Sequence, residues 1–161
     1  MIMNPTDVTE FNPSGDYHYG AQLGYSGQYI NFLGYSDAFQ IDYTGGFDVS
    51  DKLYLGLNLS YADLDGPSFY GVALYPQIAT SDSFSIGLRA EYFAETDGGA
   101  GAIDGDGNVF EFTLTGSYSI ENLTIKPELR LDSASENAFI NNDLAPTKSL
   151  GSFVLAAIYS F

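Results

Sequence analysis

The 161-residue sequence has no cysteine, no tryptophan, a single histidine, and five lysines and arginines against 21 aspartates and glutamates. Each shortage excludes something. Without cysteine there is neither a disulfide framework nor a thiolate metal site, and the redox compartment cannot be read from thiols. A formal charge of −16 argues against nucleic acid and anionic headgroups as electrostatic partners and makes cations the natural company. His18, flanked by Tyr17 and Tyr19, would have to anchor any Ser-His-acid arrangement, and no nucleophile motif accompanies it, so no enzyme is expected. No run reaches the roughly 20 apolar residues of a spanning helix, but that criterion is blind to strands whose alternating residues average out. The start, Met1 to Pro5, lacks the basic and apolar regions of a secretory signal, so any such segment is expected to have been removed or replaced by a starting Met. One domain is expected over 1–161, with 1–15 an N-terminal segment that is either an additional strand or flexible.

What is present is β-forming: 13 Tyr, 12 Phe and 18 Gly. From Phe39 onward, segments with period-2 alternation are divided by turn signals. Short turns at Ser50 to Lys52, Thr80 to Ser83 and Ile120 to Asn122 alternate with the connections Leu64 to Pro67, Thr96 to Gly107 and Glu136 to Lys148. In 123–133, Leu123, Ile125, Pro127, Leu129 and Leu131 face away from Thr124, Lys126, Glu128, Arg130 and Asp132. In 109–118, Phe110, Phe112, Leu114, Gly116 and Tyr118 oppose Glu111, Thr113, Thr115 and Ser117; in 84–95, Phe84, Ile86, Leu88, Ala90 and Tyr92 oppose Ser85, Arg89, Glu91 and Glu95. Segments 53–62 and 39–48 repeat the pattern, whereas 149–161 is apolar on both faces, 68–79 is mixed and 28–35 has no clear parity. With 17–25 these make nine candidate strands. An even-numbered antiparallel barrel then requires either a tenth strand from Ile2 to Phe11 or the merging of two N-terminal segments.

Alternation does not say which face is outside. Three features favour an apolar exterior. The polar faces carry Gly, Ser, Thr, Gln and Asn with few charges, where a wetted surface is usually about 25–35% charged. Lys126, Glu128 and Arg130, Glu111, and Arg89 with Glu91 place opposite charges on neighbouring strands of one face, as a narrow lumen requires. Aromatic residues recur at the ends of the apolar faces, at Phe39 and Phe47, Phe84 and Tyr92, Phe110 and Tyr118, and Tyr159 with Phe161, like interfacial girdles. The expected fold is therefore all-β, a closed antiparallel up-and-down transmembrane β-barrel of 8–10 strands. Its lumen cluster comprises Arg89, Glu91, Glu111, Lys126, Glu128, Arg130 and Asp132.

Other motifs carry less. Asp104 to Asn108 (DGDGN) lacks the spacing of a calcium loop and has Thr115 where the bidentate Glu belongs, so it is read as an acidic outer loop; no metal and no cofactor are expected. Glu111 and Glu128 form a carboxylate pair on paper, but Lys126 and Arg130 beside them make charge compensation the better account. Pro76 and Pro127 inside strands predict bulges or rim positions there. Gly45, Gly46 and Gly56 are assigned to bending and close packing rather than to a site.

Tyr54 to Asn58 (YLGLN), Gly71 to Gln77 (GVALYPQ), Gly87 to Phe93 (GLRAEYF), Leu123 to Ser135 (LTIKPELRLDSAS) and Ser152 to Phe161 (SFVLAAIYSF) resemble the β-barrel porin-2 (OmpL-like) family of Bacteroidetes-type outer-membrane proteins. The similarity runs from about Gly15 to the end. It implies an outer-membrane location, lipid as the surrounding partner, and a C-terminal strand ending in Phe161 that resembles the signal read by the barrel insertion machinery. Members are usually longer, so this chain resembles a reduced barrel, a natural short form, a truncation or an engineered pore. The implied activity is a porin-like passive channel for small solutes or ions with cation preference. The alternatives are a non-conducting membrane barrel acting as a structural or surface-interaction element and a soluble ligand-binding barrel.

Overall fold

A computed structural model describes residues 1–3, 15–99, 101, 103 and 105–161. The strands are β1 (Ile2–Met3), β2 (His18–Tyr25), β3 (Gln28–Tyr35), β4 (Ala38–Ser50), β5 (Leu53–Asp63), β6 (Ser68–Ser81), β7 (Phe84–Thr96), β8 (Gly107–Ile120), β9 (Leu123–Ala134), β10 (Phe139–Ile140), β11 (Pro146–Thr147) and β12 (Ser149–Tyr159). Ten form one antiparallel meander in chain order, β1 to β9 and then β12, and β10 with β11 makes a separate small hairpin. Among the described residues the edge strands β1 and β12 are not paired with each other, so the sheet is open. The tenth strand does come from the N-terminus, where Ile2 and Met3 pair with Tyr19 and His18; the rest of the segment expected there, 4–11, lies outside the described residues. The last strand stops at Tyr159, two residues short of Phe161.

Turn chemistry explains the meander. At one end every connection is a two-residue turn, at 26–27, 51–52, 82–83 and 121–122. Ser26 and Gly27 both have positive φ (48° and 78°), the type I′ geometry whose twist matches paired strands. At the other end the connections from β3 onward lengthen, from 36–37 through 64–67 and 97–106 to 135–148.

The prolines behave differently from expectation. Register shifts occur at Asp48/Ser50 and Ala79/Ser81, beside the short turns, and not at Pro76 or Pro127. Both prolines sit mid-strand in unshifted register with one neighbour, Pro76 opposite Leu55 and Pro127 opposite Leu155. On the other side the ladder lapses, between Leu74 and Gln77 toward β7 and between Ile125 and Glu128 toward β8. A strand residue directs its N–H to one side only, so a missing donor costs pairing with that neighbour and leaves register intact. Opposite Pro127, Gly116 keeps its own side of the gap small; a Cβ there would lie 3.6 Å from the proline ring.

The sheet is inside-out relative to a water-soluble protein. Glu111 and Asp132 are each only 5% exposed, and Glu95 and Thr113 are also buried, whereas Phe112 and Leu131 are 51% and 65% exposed. Register carries these two characters across every strand. Even residues of β2, β4, β5, β9 and β12 and odd residues of β3, β6, β7 and β8 share the sheltered face.

Candidate functional site

The sheltered face of β7, β8 and β9 holds a ladder of charges set by register. Glu91, Glu111 and Asp132 are direct cross-strand partners, three carboxylates abreast at a strand spacing of about 4.8 Å. Like charges so placed destabilise a sheet. Two residues further along toward the short-turn end, Arg89 and Arg130 flank Thr113, whose small side chain leaves both guanidiniums free to lean across. Arg89 pairs with Glu91 and reaches Glu111 at 2.8 Å; Arg130 reaches Glu111 at 2.7 Å and grips both oxygens of Asp132 at 3.0 Å. Glu111 is thus the middle of the chain Glu91, Arg89, Glu111, Arg130, Asp132, and each of its oxygens serves a different arginine. The Tyr75 ring lies 5.9 Å from the Arg89 guanidinium carbon.

The other two members of the expected cluster share the face and not the ladder. Glu128 accepts the Thr115 hydroxyl at 2.9 Å, and Lys126 makes no ion pair among the described residues. Both line a cavity of about 360 Å³ on the short-turn side of the arginines, with Tyr54, Thr113 and Ser117.

Two further polar features escaped the sequence. Gln22, Asn31 and Asp42 form a hydrogen-bonded row across β2, β3 and β4, amide to amide and amide to carboxylate at 2.7 Å each. Aligning the segments on the turns at 26–27 and 36–37 places these three side by side, a signal hidden because the parity of 28–35 is weak. Glu95 takes the Ile103 N–H at 2.8 Å, and Ile103 is buried. Asp106 accepts Gly98 N–H at 2.8 Å within the 97–106 connection, while Asp104 lies outside the described residues. His18 is buried and stacked on Tyr35 with ring centroids 4.1 Å apart, a packing role.

On the exposed face the aromatic residues fall into two bands. Near the long connections Phe39 meets Tyr61 at 5.7 Å, and Tyr92 meets both Tyr70 at 6.0 Å and Phe110 at 4.7 Å. Near the short turns stand Phe47, Phe84 opposite Tyr118, and Tyr159, with Phe161 beyond the strand end.

An apolar exterior, a charged sheltered face and a hairpin meander are joined by one decisive likeness: the family profile described as "Putative beta-barrel porin-2, OmpL-like" matches residues 1–161. The chain belongs to this porin family. Membership makes it a β-strand membrane protein of the bacterial outer membrane. Among solved structures, the NanC porin in a rhombohedral crystal form shares the fold, with a TM-score of 0.53 at 13% identity over 88% of this chain and 73% of that one. No curated protein matches. In this OmpL-like porin the exposed face is the apolar one, with aromatic residues near both of its ends.

Proposed function

We propose that this porin closes into a barrel and conducts small solutes or ions passively, with cations preferred. The observation that carries the preference is the charge of the sheltered face. Arg89, Lys126 and Arg130 stand there against Asp42, Asp48, Glu91, Glu95, Glu111, Glu128 and Asp132. A wall with excess carboxylate raises the local concentration of cations and lowers that of anions. The connections at the long-loop end add to the excess, with Asp37, Asp65, Asp97, Asp106, Glu136 and Asp143 against Lys148. Closure is supported by the strand count, because in a ten-stranded antiparallel meander the first and last strands run in opposite directions and can pair. Phe39, Phe47, Phe84, Tyr92, Phe110, Tyr118, Tyr159 and Phe161 then form the membrane-interface girdle, and β12 presents the insertion machinery with its recognition strand.

Planar-bilayer recording under a potassium chloride gradient tests the reading. Discrete conductance steps with a reversal potential on the potassium side are expected. A protein that inserts, migrates as a folded barrel and stays silent would instead be a structural or surface element.

A further inference from the structure

We infer that Glu111 sets the ion selectivity of this channel by holding both arginines of the sheltered face, and that neutralising it turns the adjoining cavity into an oxyanion site. The inference rests on the channel reading for its first half only.

Three of the five cations in the sequence, Arg89, Lys126 and Arg130, line one cavity of about 360 Å³, together with the hydroxyl-bearing Thr113 and Thr115 and the carboxylate of Glu128. In so acidic a chain this concentration of positive charge looks like an anion site. The ion pairs show why it does not act as one. Both guanidiniums are drawn to the far side of their row, toward carboxylates that do not line the cavity. Glu91 holds only Arg89 and Asp132 holds only Arg130, whereas Glu111 holds both. The ion pairs engage both Nη atoms of Arg89 and the Nε and one Nη of Arg130, and the Arg89 Nε–H, without a partner among the described residues, is buried. The donors that remain are therefore not presented to a passing anion while the carboxylates hold the guanidiniums in place.

The three acids are therefore not equivalent. Removing the charge of Glu91 leaves each arginine at least one carboxylate and keeps Glu111 bridging them. Removing the charge of Glu111 breaks the chain in its middle and frees a donor edge on both arginines at once, on either side of Thr113. With the ammonium of Lys126 on the same cavity, three donors then converge on a space large enough for a tetrahedral oxyanion. Glu111 acts through the arginines, so it is a positioning residue, and its signature is a change in which ion the wall accepts.

The test compares wild-type protein, Glu111→Gln and Glu91→Gln, each verified as folded by heat-modifiable migration. Arginine Nε–H signals in detergent micelles are followed while sodium sulfate replaces sodium chloride at constant ionic strength. Sulfate is expected to shift the Arg89 and Arg130 signals in Glu111→Gln, and to leave them in place in wild type and Glu91→Gln. In bilayers, losing a unit charge whose aqueous interaction with a passing ion is about RT, as at a separation of about 7 Å, lowers potassium occupancy by roughly threefold and raises chloride by a similar factor. Only Glu111→Gln should in addition show current block by sulfate. Equal sulfate response in wild type, or none in folded Glu111→Gln, overturns the inference. A silent wild-type channel sinks the conduction reading alone, because the sulfate titration still decides whether Glu111 masks the arginines. Should Glu111→Gln fail to fold, Glu111→Asp, one methylene too short to reach both guanidiniums, must show the same sulfate response at lower amplitude, and its absence overturns the inference.

Discussion

Leu129→Arg separates a membrane wall from a wetted one. Leu129 lies at the middle of β9 on the apolar face, in direct register with Leu114 on one side and Phe153 on the other, and is 56% exposed. If that face met water, exchanging a half-exposed leucine for arginine would alter stability by no more than about 0.5 kcal/mol. In a bilayer the same exchange places a guanidinium near the hydrocarbon midplane, where the penalty is about 2–4 kcal/mol, a factor of roughly 30 to 800 in the folding equilibrium. Leu123, at the short-turn end of the same strand and opposite Ile120 and Tyr159, shares the face but sits at the interfacial level. Leu123→Arg should therefore cost only about 0–1 kcal/mol. The assay is reversible guanidinium unfolding in phospholipid vesicles, followed by tyrosine fluorescence, which no tryptophan obscures in this sequence. Equal effects at the two positions, or an effect below about 0.5 kcal/mol at Leu129, would refute the assignment of the apolar face to lipid.

Two other substitutions address the sheltered side. Arg130→Ala leaves Glu111 and Asp132 facing one another with a single arginine between three carboxylates. Because the Arg130 side chain is 42% exposed, the stability loss should be about 1–2 kcal/mol rather than the 3–5 kcal/mol of a fully buried pair, and the channel should become more cation-selective by reversal potential. Gly56 is paired with Gly46, and a Cβ at Gly56 would already lie 3.1 Å from the Tyr75 Cβ, so Gly56→Leu should destabilise by about 1–3 kcal/mol in the vesicle assay.

Strands were the legible part of this sequence because a sheet with one apolar and one polar face imposes period 2 on each strand. That is why 53–62, 84–95 and 123–133 fell within a residue or so of β5, β7 and β9. The prolines were misjudged because sequence shows that a donor is missing but not which neighbour it would have served. The ladder was half legible. Alternation placed Arg89, Glu111 and Arg130 on one face, but only register shows that Glu111 lies one row away from both arginines and touches each, while Glu128 and Lys126 stand two and three rows from the carboxylates. The row of Gln22, Asn31 and Asp42 stayed hidden for the same reason: neutral amides give no charge pattern to align.

The lengthening connections along one end of the meander bear on how the sheet comes together. From β2 to β9 every neighbour is the next strand in the chain, so these pairings close connections of 2 to 10 residues and hairpins can add in sequence. Closing an unstructured connection of the length of 135–148 would cost roughly 1.7 kcal/mol more entropy than closing a two-residue turn. The β10 and β11 hairpin inside that connection, pairing Phe139 with Thr147 and Ile140 with Pro146, draws its ends together beforehand. The small hairpin thus holds the ends of the connection close, which lowers the entropy lost when β12 docks on β9.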